Sequence, residues 1–326
     1  MNARSGRATI HDVAADLGVS ASTVSRALTP QGTVSDATRR RVEEAAARLG
    51  YRTNSAARNL STGRTNALGL LVPDLRNPFF AEIAKGAQNR ARGRGHAVYI
   101  ADTNLSAEAE IEAIEMMRRD VDGFVLCSPW AEDERLVAAL QGVPTVVLHR
   151  EVPGLPSVTA DLHDGMRQAV SHLRALGHPR IAYVSGPAGS WNARARLSAY
   201  EAEVAEPARV VLGPVADQFE GGVSVADALL ATGSTAVIAY NDITALGLVS
   251  RLTARGVVVP DRMSVIGFDG LDVATLANPL TSVSVPRARG AELAVDVLLR
   301  PGTVPTALPT QLVVRESTAA PQPTVT

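Results

Sequence analysis

The chain has 326 residues, 46% of them hydrophobic, which suits one small and one larger folded unit. Its single cysteine, Cys127, excludes an intramolecular disulfide and therefore a secreted, disulfide-stapled fold. No apolar run follows the charged N-terminus, and none approaches the ~20 residues of a membrane helix, so we expect a cytoplasmic protein without a membrane segment.

The net charge of −1 conceals an uneven distribution of charge along the chain. Residues 1–64 carry ten arginines and five acidic residues, a net charge of +5, which leaves −6 for the remainder. A basic N-terminal segment on an acidic body indicates that the segment contacts a polyanion and the body does not. A solvated charged segment is the alternative that charge alone leaves open.

Three short helices are predicted in the first 50 residues. The first begins at Thr9 and Asp12, which are spaced as a capping box, and ends at Gly18, which can adopt the left-handed backbone of a tight turn. The second spans Ala21–Leu28 and the third spans residues 35–49. Two short helices joined by a glycine-containing turn, with a third behind them, form the helix-turn-helix arrangement.

The second predicted helix exposes small polar residues and one arginine. Small side chains let a helix lie deep in the major groove, and Arg26 can donate two hydrogen bonds to a guanine edge. Ser20, Thr23 and Ser25 suit contacts with phosphates, which fix register without reading sequence. A three-helix module that does not contact DNA is the alternative.

Beyond a polar linker over residues 61–66, short apolar runs alternate with helical stretches. The predicted strands are Ala67–Val72, His96–Ala101, Gly123–Cys127, Pro144–Leu148, Ile181–Ser185, Ala236–Tyr240 and Ser264–Phe268. The predicted helices include Phe79–Arg92, Ala107–Arg118, Asp133–Leu140, Asp164–Leu176, Gly222–Leu230, Ile243–Arg255 and Arg287–Leu299. This alternation predicts two parallel sheets covered by helices, with a ligand cleft at the carboxyl ends of their strands.

Polar side chains stand near the ends of the predicted strands. Asp269 follows one strand, Asn241 follows another, and Arg196 lies one turn beyond Asn192 in the helix after a third. Such planar hydrogen-bonding groups, together with an aromatic face such as Phe79, suit a neutral polyol. The alternative for Asp269 and Asn241 is that they only cap the elements that follow them.

Enzyme classes find little support in the sequence. The serine- and glycine-containing segments at 128–129, 186–189 and 221–222 lack the companions of a nucleophile elbow or a P-loop. The histidines are not at metal-ligand spacing with other ligands. We therefore predict no enzyme activity, with no catalytic residues, no metal and no cofactor.

The segments Thr9–Ala14 and Gly18–Leu28 closely resemble the N-terminal domain of the lac repressor / purine repressor family, and the likeness continues through Asn54–Leu60. In the body it is carried by Leu68–Asp74, Asn77–Ile83, Val121–Gly123, Leu176–His178, Asn241–Asp242 and Val265–Asp269. The resemblance implies a small all-α helix-turn-helix domain and an α/β, periplasmic-binding-protein-like body of two parallel-sheet subdomains. It also implies that the chain crosses between the subdomains near Asp161, Val285 and Pro309.

The resemblance further implies a hinge helix in which Leu60 wedges into a central minor-groove step while Ala57 packs against its dimer mate. Thr53 stands where many family members have a proline before this helix. We expect Ala21 and Ser22 to set which bases are tolerated. The full predicted DNA-binding set is Thr9, Ser20, Ala21, Ser22, Thr23, Ser25, Arg26, Ala57 and Leu60.

The family's effector positions fall on Phe79, His149, Asn192, Arg196, Phe219, Asn241 and Asp269. Phe80 and Asp242 are expected to be structural. The matched polar residues suit hydroxyl groups, so we predict a sugar or sugar derivative as effector. A nucleoside or other metabolite, or a vestigial pocket that binds nothing, stays open as an alternative.

We predict a helix-turn-helix domain over residues 1–52, a hinge helix and linker over 53–66, a two-subdomain effector-binding and dimerisation domain over 67–316, and a disordered tail over 317–326. The expected function is repression of carbohydrate uptake or catabolism genes, by a nucleoid-associated homodimer or tetramer on a pseudo-palindromic double-stranded operator. A solute-binding transport component is disfavoured because we see no signal peptide. Between Tyr200 and Val210 the chain is several residues shorter than is usual in the family it resembles. This difference predicts a truncated helix in the C-terminal subdomain.

Overall fold

The structure is a computed structural model and describes residues 8–28, 33–51, 64–275, 279–300, 302 and 307–322. Contacts divide the chain into two units, Met1–Thr65 and Asn66–Thr326. Among the described residues, no helix has both the length and the apolar character needed to cross a membrane.

The N-terminal unit contains α1 (Ile10–Leu17), α2 (Ala21–Ala27) and α3 (Asp36–Arg48). The predicted capping box is present, because the Asp12 carboxylate accepts a hydrogen bond from the Thr9 backbone N–H at 2.8 Å and the Thr9 side chain accepts one in return. Gly18 ends α1 with φ 63°, the left-handed conformation that the sequence predicts. All three predicted helices are therefore confirmed to within one or two residues.

A small apolar core joins these three helices. Val13 of α1, Val24 of α2, and Val42 and Ala45 of α3 are buried in one cluster. The Arg39 guanidinium donates a hydrogen bond of 2.7 Å to the carbonyl of Ala27 and so ties α3 to the last turn of α2. This core and tie hold α2 with one side inward and its polar side toward solvent.

The first sheet of the larger unit has strand order β2-β1-β3-β4-β5, with every pair parallel. Its strands are β1 (Ala67–Val72), β2 (Ala97–Asp102), β3 (Phe124–Cys127), β4 (Thr145–Leu148) and β5 (Ser157–Val158). Its helices are α4 (Pro78–Gly93), α5 (Ala107–Met117), α6 (Asp133–Ala139) and, from late in the chain, α11 (Arg287–Leu299). Successive residues of β1 and β4 enter two different apolar clusters, so both faces of the sheet are buried.

The second sheet has strand order β11-β10-β9-β8-β6-β7, and only the β10–β11 pair is antiparallel among the pairs described. Its strands are β6 (Ile181–Val184), β7 (Val210–Leu212), β8 (Ala236–Ala239), β9 (Ser264–Asp269), β10 (Thr281–Ser284) and β11 (Gln311–Val313). Its helices are α7 (Leu162–Ala175), α8 (Trp191–Glu203), α9 (Phe219–Ala231) and α10 (Asp242–Ala254), with a 3₁₀ turn over Asp272–Thr275. The pair α7–α8 and the pair α9–α10 cover opposite faces of this sheet.

Three chain segments connect the two sheets. The chain leaves β5 for α7, leaves β10 for α11, and returns after α11 to β11. Ala160 of the first crossing bridges Leu308 of the third, and the Asp161 N–H donates to the Leu308 carbonyl at 2.9 Å. The predicted crossovers near Asp161, Val285 and Pro309 are thus confirmed, as is the fold class.

The prediction of a disordered tail over 317–326 is wrong for residues 317–322. Ser317 is buried, its hydroxyl donates to the Val265 carbonyl at 2.6 Å, and it accepts from the Thr281 N–H at 2.8 Å. The Ala319 N–H donates to the Ser264 hydroxyl at 3.0 Å. These partners are backbone groups and hydroxyls, which leave no apolar pattern in the sequence, and so the order of this segment was missed. Residues 323–326 lie outside the described part of the chain.

The segment between Tyr200 and Val210 is short, as the sequence indicates. Helix α8 ends at Glu203, and β7 begins at Val210. The Tyr200 hydroxyl donates to the Ile181 carbonyl at 2.8 Å and accepts from the Val210 N–H at 3.0 Å. One tyrosine therefore joins α8 to β6 and to the edge strand β7 across this connection.

Candidate functional sites

The polar side of α2 forms the first candidate site. Ser20, Ser22, Ser25 and Arg26 are exposed. Ser20 caps the helix by accepting from the Thr23 N–H at 3.2 Å, and its hydroxyl lies 2.8 Å from that of Ser22. The Arg26 Nε donates to the Ser22 carbonyl at 3.4 Å, which lays the guanidinium along the helix surface.

The surroundings of two predicted DNA-contact residues, Ala21 and Thr9, differ from those that the sequence predicts, and two further predicted contacts are outside the described part of the chain. Ala21 is partly buried against the N-terminal core, whereas the sequence predicts it on the exposed face. The exposed Thr9 hydroxyl donates to the Asp12 carboxylate at 2.8 Å, so a phosphate at Thr9 would compete with that bond. Ala57 and Leu60 lie outside the described residues.

The second candidate site is a cavity of about 510 Å³, counting its opening to solvent, where strand ends of the two sheets meet. Its lining includes six of the seven predicted effector positions, which are Phe79, His149, Asn192, Arg196, Asn241 and Asp269. The position at the carboxyl ends of parallel strands is the one that this topology favours for ligands.

Three strand ends reach the cavity with backbones in the left-handed region. Ser128 follows β3 with φ 46°, His149 follows β4 with φ 60°, and Asp269 ends β9 with φ 115°. For residues other than glycine this conformation costs about 1–3 kcal/mol and clusters at functional sites. At all three positions the side chain lines the same cavity.

An ion pair forms the floor of the cavity. The Arg196 Nη2 donates to the Asp269 carboxylate at 2.9 Å, with 6% and 5% of the two side chains exposed. Arg196 also donates to the Tyr240 carbonyl at 2.6 Å, and its guanidinium lies 4.1 Å from the Phe268 ring centroid. Burial raises the pKa of Asp269, while Arg196 and Arg287 favour its carboxylate. The floor of the cavity is therefore a buried, ion-paired polar surface.

His149 is a neutral imidazole at the wall of this cavity. Burial, with Arg196 and Arg287 nearby, lowers its pKa to about 3. The ring centroid lies 5.3 Å from that of Phe79, and Nε2 has no hydrogen-bond partner among the described residues. A buried ring nitrogen without a partner is available to a ligand hydroxyl.

Asn241 has both the structural role and the cavity position that the sequence left open. Its Oδ1 accepts from the Thr244 N–H at 2.8 Å and so caps α10. Its Nδ2 donates to the carboxylate of Asp217. Burial and the nearby Asp269 raise the pKa of Asp217 to about 6.

Two contacts cross the cavity from one sheet to the other. The Asn192 Nδ2, on α8, donates to the Ser128 hydroxyl at 3.2 Å. The Trp130 ring lies so close to Gly189 that a Cβ added there would sit 3.1 Å from it. The loop after β3 therefore contacts the start of α8 directly.

Sequence reasoning missed several lining residues: Asn77, Ser128, Trp130, Ser190, Asp217 and Tyr240. Trp130 could have been predicted as a lining residue, because it stands shortly after a strand that the sequence predicts correctly. Asp217 could not, because it follows β7, a strand of three residues that the pattern did not predict.

Phe219 is the one predicted effector position outside the cavity lining. It begins α9, is 39% exposed, and faces an adjoining groove.

The structural roles expected for Phe80 and Asp242 are confirmed. Phe80 is buried in the core and also borders the cavity. Asp242 accepts from the Leu271 N–H and the Ser282 hydroxyl, both at 2.6 Å, and burial raises its pKa to about 7.

Comparison with known proteins identifies both units. Residues 9–54 match the family model described as bacterial regulatory proteins, lacI family. Residues 65–303 match the model for periplasmic binding proteins and the sugar binding domain of the LacI family. The chain belongs to the lacI family. Members of this family are DNA-binding transcriptional regulators and not enzymes, so this lacI-family chain is a ligand-responsive regulator of transcription.

Individual relatives cover nearly the whole chain. It is 32% identical over 305 residues to the HTH-type transcriptional repressor CytR of Escherichia coli K12, covering 90% of this chain and 89% of the relative. It is 32% identical over 326 residues to the ribose operon repressor of Halalkalibacterium halodurans, covering 95% and 97%. A crystal structure of the lac repressor dimer bound to operator and the anti-inducer ONPF aligns with a TM-score of 0.87 at 28% identity, covering 97% of this chain and 100% of that one.

Proposed function

We propose that this lacI-family regulator represses carbohydrate uptake or catabolism genes and that a sugar or sugar derivative in the cavity sets its affinity for operator DNA. The observation that carries the proposal is the buried Arg196–Asp269 pair beside the unpartnered Nε2 of His149. The resemblance to a ribose operon repressor supports the same effector class.

The cavity offers what hydroxyl groups need. Asp269 accepts hydrogen bonds and Arg196 donates them, and the Arg196 Nε has no partner among the described residues. Neutral His149 can donate or accept. Phe79 and Trp130 supply apolar surface for the C–H face of a ring. A phosphorylated effector is disfavoured, because Asp217 and Asp269 both line the cavity.

On the DNA side, we propose that α2 enters the major groove, with Arg26 at a base edge and Ser20, Thr23 and Ser25 at phosphates. Thr9, Ala21 and Ser22 complete the proposed contact set of residues 1–52. Residues 53–66 are the proposed hinge, in which Ala57 pairs with its dimer mate and Leu60 wedges into the minor groove. The lac repressor dimer on its operator supports a homodimer as the DNA-binding form, and a cytoplasmic, nucleoid-associated location follows from such a role.

Coupling between the two sites requires the effector to prefer one of two states of the body. Residues 67–316 are the proposed effector-binding and dimerisation domain. We propose that its two subdomains move relative to one another about the three crossing segments. A ligand that holds Asn192 and Ser128 together would favour the arrangement in which the sheets are close.

The test is a thermal-shift screen of the full-length protein with ribose, glucose, galactose and adenosine, followed by operator-binding anisotropy with each ligand that shifts the melting temperature. A sugar present at 100 times its Kd should stabilise the protein by about 2.7 kcal/mol and change operator affinity. Stabilisation by adenosine alone would favour a nucleoside effector. Absence of stabilisation by any ligand in a broad panel would favour a vestigial pocket.

A further inference from the structure

Arg287 joins the two subdomains at the end of strand β9, beside the effector cavity. It is the first residue of α11, a helix that packs on α4 and on the first sheet although it follows the crossing from β10. Only 8% of its side chain is exposed, and it lies outside the cavity lining. A buried guanidinium that the cavity itself does not use must be held by other partners.

Two backbone carbonyls at the end of β9 accept hydrogen bonds from Arg287. Its Nη1 donates to the Asp269 carbonyl, and its Nη2 donates to the Gly270 carbonyl at 3.1 Å. Asp269 has φ 115° and Gly270 has φ 71°, both in the left-handed region. A non-glycine backbone of this kind persists only where its surroundings hold it. Arg287 therefore helps to fix the backbone from which the Asp269 carboxylate reaches Arg196.

Other bonds to this turn come from the second subdomain itself. The Gly270 N–H donates to the Ser282 hydroxyl at 3.0 Å, and the Leu271 N–H donates to the Asp242 carboxylate at 2.6 Å. Ser282 lies on β10 and Asp242 begins α10, both of the second subdomain. Arg287 adds a contact from the first subdomain, so this turn is held from both sides of the hinge.

The third bond of Arg287 fixes it to α4. Its Nε donates to the Glu82 carboxylate at 2.8 Å. One turn further along α4, a Cβ added at Gly86 would lie 2.9 Å from the Ala288 carbonyl oxygen, so α4 and the start of α11 are in backbone contact. The planar fork of a guanidinium makes all three contacts at once. Arg287 thus stays with α4 while it holds the turn after β9.

We propose that Arg287 is a positioning residue for Asp269 and that its bond to Glu82 carries effector occupancy from the turn after β9 to α4. This inference rests on the proposed function, in which the two subdomains move about the crossing segments. Such a movement must pull Arg287 either from the two carbonyls or from Glu82, because these partners lie on different subdomains. An effector that holds Asp269 therefore biases the position of α4.

The connection to DNA binding follows from the order of the chain. Helix α4 comes directly after β1, and β1 begins at Ala67, next in sequence to the proposed hinge and linker over residues 53–66. The first subdomain is therefore the one that the chain enters from the DNA-binding domain. A bond that ties this subdomain to the effector-binding turn is placed to couple the two sites.

The first experiment measures effector affinity. The full-length protein is titrated calorimetrically with ribose, glucose, galactose and adenosine. For each compound that binds the wild type, Arg287→Gln should weaken binding about tenfold, because two buried carbonyls lose a charged donor next to Asp269. Arg287→Lys keeps the charge but not the fork, so it should recover part of the affinity.

The second experiment separates coupling from affinity. Glu82→Ala should leave the Kd of the bound compound within about threefold of the wild type, yet reduce the change in operator affinity that the compound causes by about fivefold. Operator-binding anisotropy with and without saturating compound provides the measurement. Glu292→Ala is the matched control, since Glu292 lies on α11, pairs with Arg289 at 3.4 Å and has the same 38% side-chain exposure as Glu82. It should alter neither quantity.

The third experiment needs no ligand. Hydrogen exchange at the N–H groups of Gly270 and Leu271 should become about fivefold faster in Arg287→Gln and about twofold faster in Glu82→Ala, because the turn loses its contact or that contact loses its anchor. The Glu292→Ala protein should exchange at the wild-type rate. If Arg287→Gln does not fold, Arg287→Lys takes its place, with exchange faster than in the wild type.

The outcomes distinguish this inference from the proposed function. Wild-type affinity and wild-type exchange in the Arg287 variants would overturn the positioning role, and a full operator response in Glu82→Ala would overturn the link to α4, while the proposed sugar effector stands in both cases. If none of the four compounds binds, the proposed effector class loses its support. The exchange rates in the Arg287 and Glu82 variants then decide the inference, and unchanged rates in both would refute it.

Discussion

Glu110 holds Trp130 in place through the backbone. The Glu110 carboxylate accepts from the N–H groups of Trp130 and Ala131 at 3.0 and 2.9 Å, and Glu110 lies on α5, outside the cavity lining. Burial raises its pKa, whereas the two N–H donors and Arg150 favour the charged form. Arg150 in turn donates to the Pro129 and Ala131 carbonyls at 2.7 and 2.8 Å. The cavity wall at Trp130 is therefore fixed from behind.

We expect Glu110→Ala to weaken effector binding about tenfold and to lower the melting temperature, because two buried N–H groups lose their acceptor, at about 1–3 kcal/mol each. Glu110→Gln keeps an acceptor and should have a smaller effect. The chain has only two tryptophans, so Trp130 fluorescence in a Trp191→Phe background reports the loop directly. Unchanged effector affinity and an unchanged emission spectrum in Glu110→Ala would refute this role.

Asp269→Ala should abolish the response to effector while leaving operator affinity in the absence of effector unchanged. The substitution leaves Arg196 buried without its carboxylate, which should destabilise the protein by about 3–5 kcal/mol, so Asp269→Asn is the companion variant that retains an acceptor. Anisotropy on labelled operator with and without effector measures the response. Asp227→Ala, which removes a surface ion pair with Arg251 and Arg255, is the control. A fully responsive Asp269→Asn protein would remove this carboxylate from the effector site.

Arg26→Ala should weaken operator binding and relax specificity at one base pair, by about 1–3 kcal/mol for a lost bidentate contact. Binding to a set of operators with single base changes measures both effects. Arg48→Ala is the matched control, since Arg48 is an exposed arginine of the same unit that pairs with Asp16 at 2.5 Å. Equal losses on every operator would instead make Arg26 a phosphate contact.

Asp217 should make the folded protein less stable as the pH rises toward neutrality. Its pKa in the folded state is raised from 3.8 to about 6, so the folded state binds the proton more tightly than the unfolded state does. The stabilisation from protonated Asp217 is complete below the unfolded pKa and is lost as the pH rises through about 6. Asp217→Asn should therefore raise stability at pH 7 by about 1–2 kcal/mol and leave it unchanged at pH 4. Urea denaturation at both pH values provides the measurement, and an equal effect at both would contradict it.

Truncation after Glu316 should lower the melting temperature by several degrees, because Ser317 and Ala319 lose their hydrogen bonds to β9 and β10. Truncation after Gln322 retains these hydrogen bonds and serves as the control. A protein truncated after Glu316 that melts with the full-length chain would show that the segment contributes nothing to stability.

Local and chain-wide patterns made much of the fold predictable. The capping box at Thr9 and Asp12 and the left-handed Gly18 follow from residue chemistry within a few positions of the chain. The cavity could be anticipated where a polar residue stands at or just beyond the end of a strand of four or more residues, as Asp269 does at the end of β9 and Asn241 does after β8.

The remaining features depend on tertiary contacts that a single sequence does not reveal. Glu110 lies on a helix whose pattern reads as an exposed acidic face, and only its burial beneath the loop of Trp130 gives it a role. Asp217 follows a strand too short to predict. Phe219 was matched by position, yet whether it faces the cavity or the groove depends on how α9 begins.

The three crossings mean that neither half of the body is a continuous stretch of chain. The first half requires residues before Ala160 together with α11, and the second half is completed only by β11 and the segment through Ala319. A gene fragment that encodes one half would therefore lack part of its sheet or a covering helix, and a chimera with a relative would need three matched junctions. We expect such proteins to acquire new effectors through substitutions within the cavity, since exchange of modules would break both halves at once.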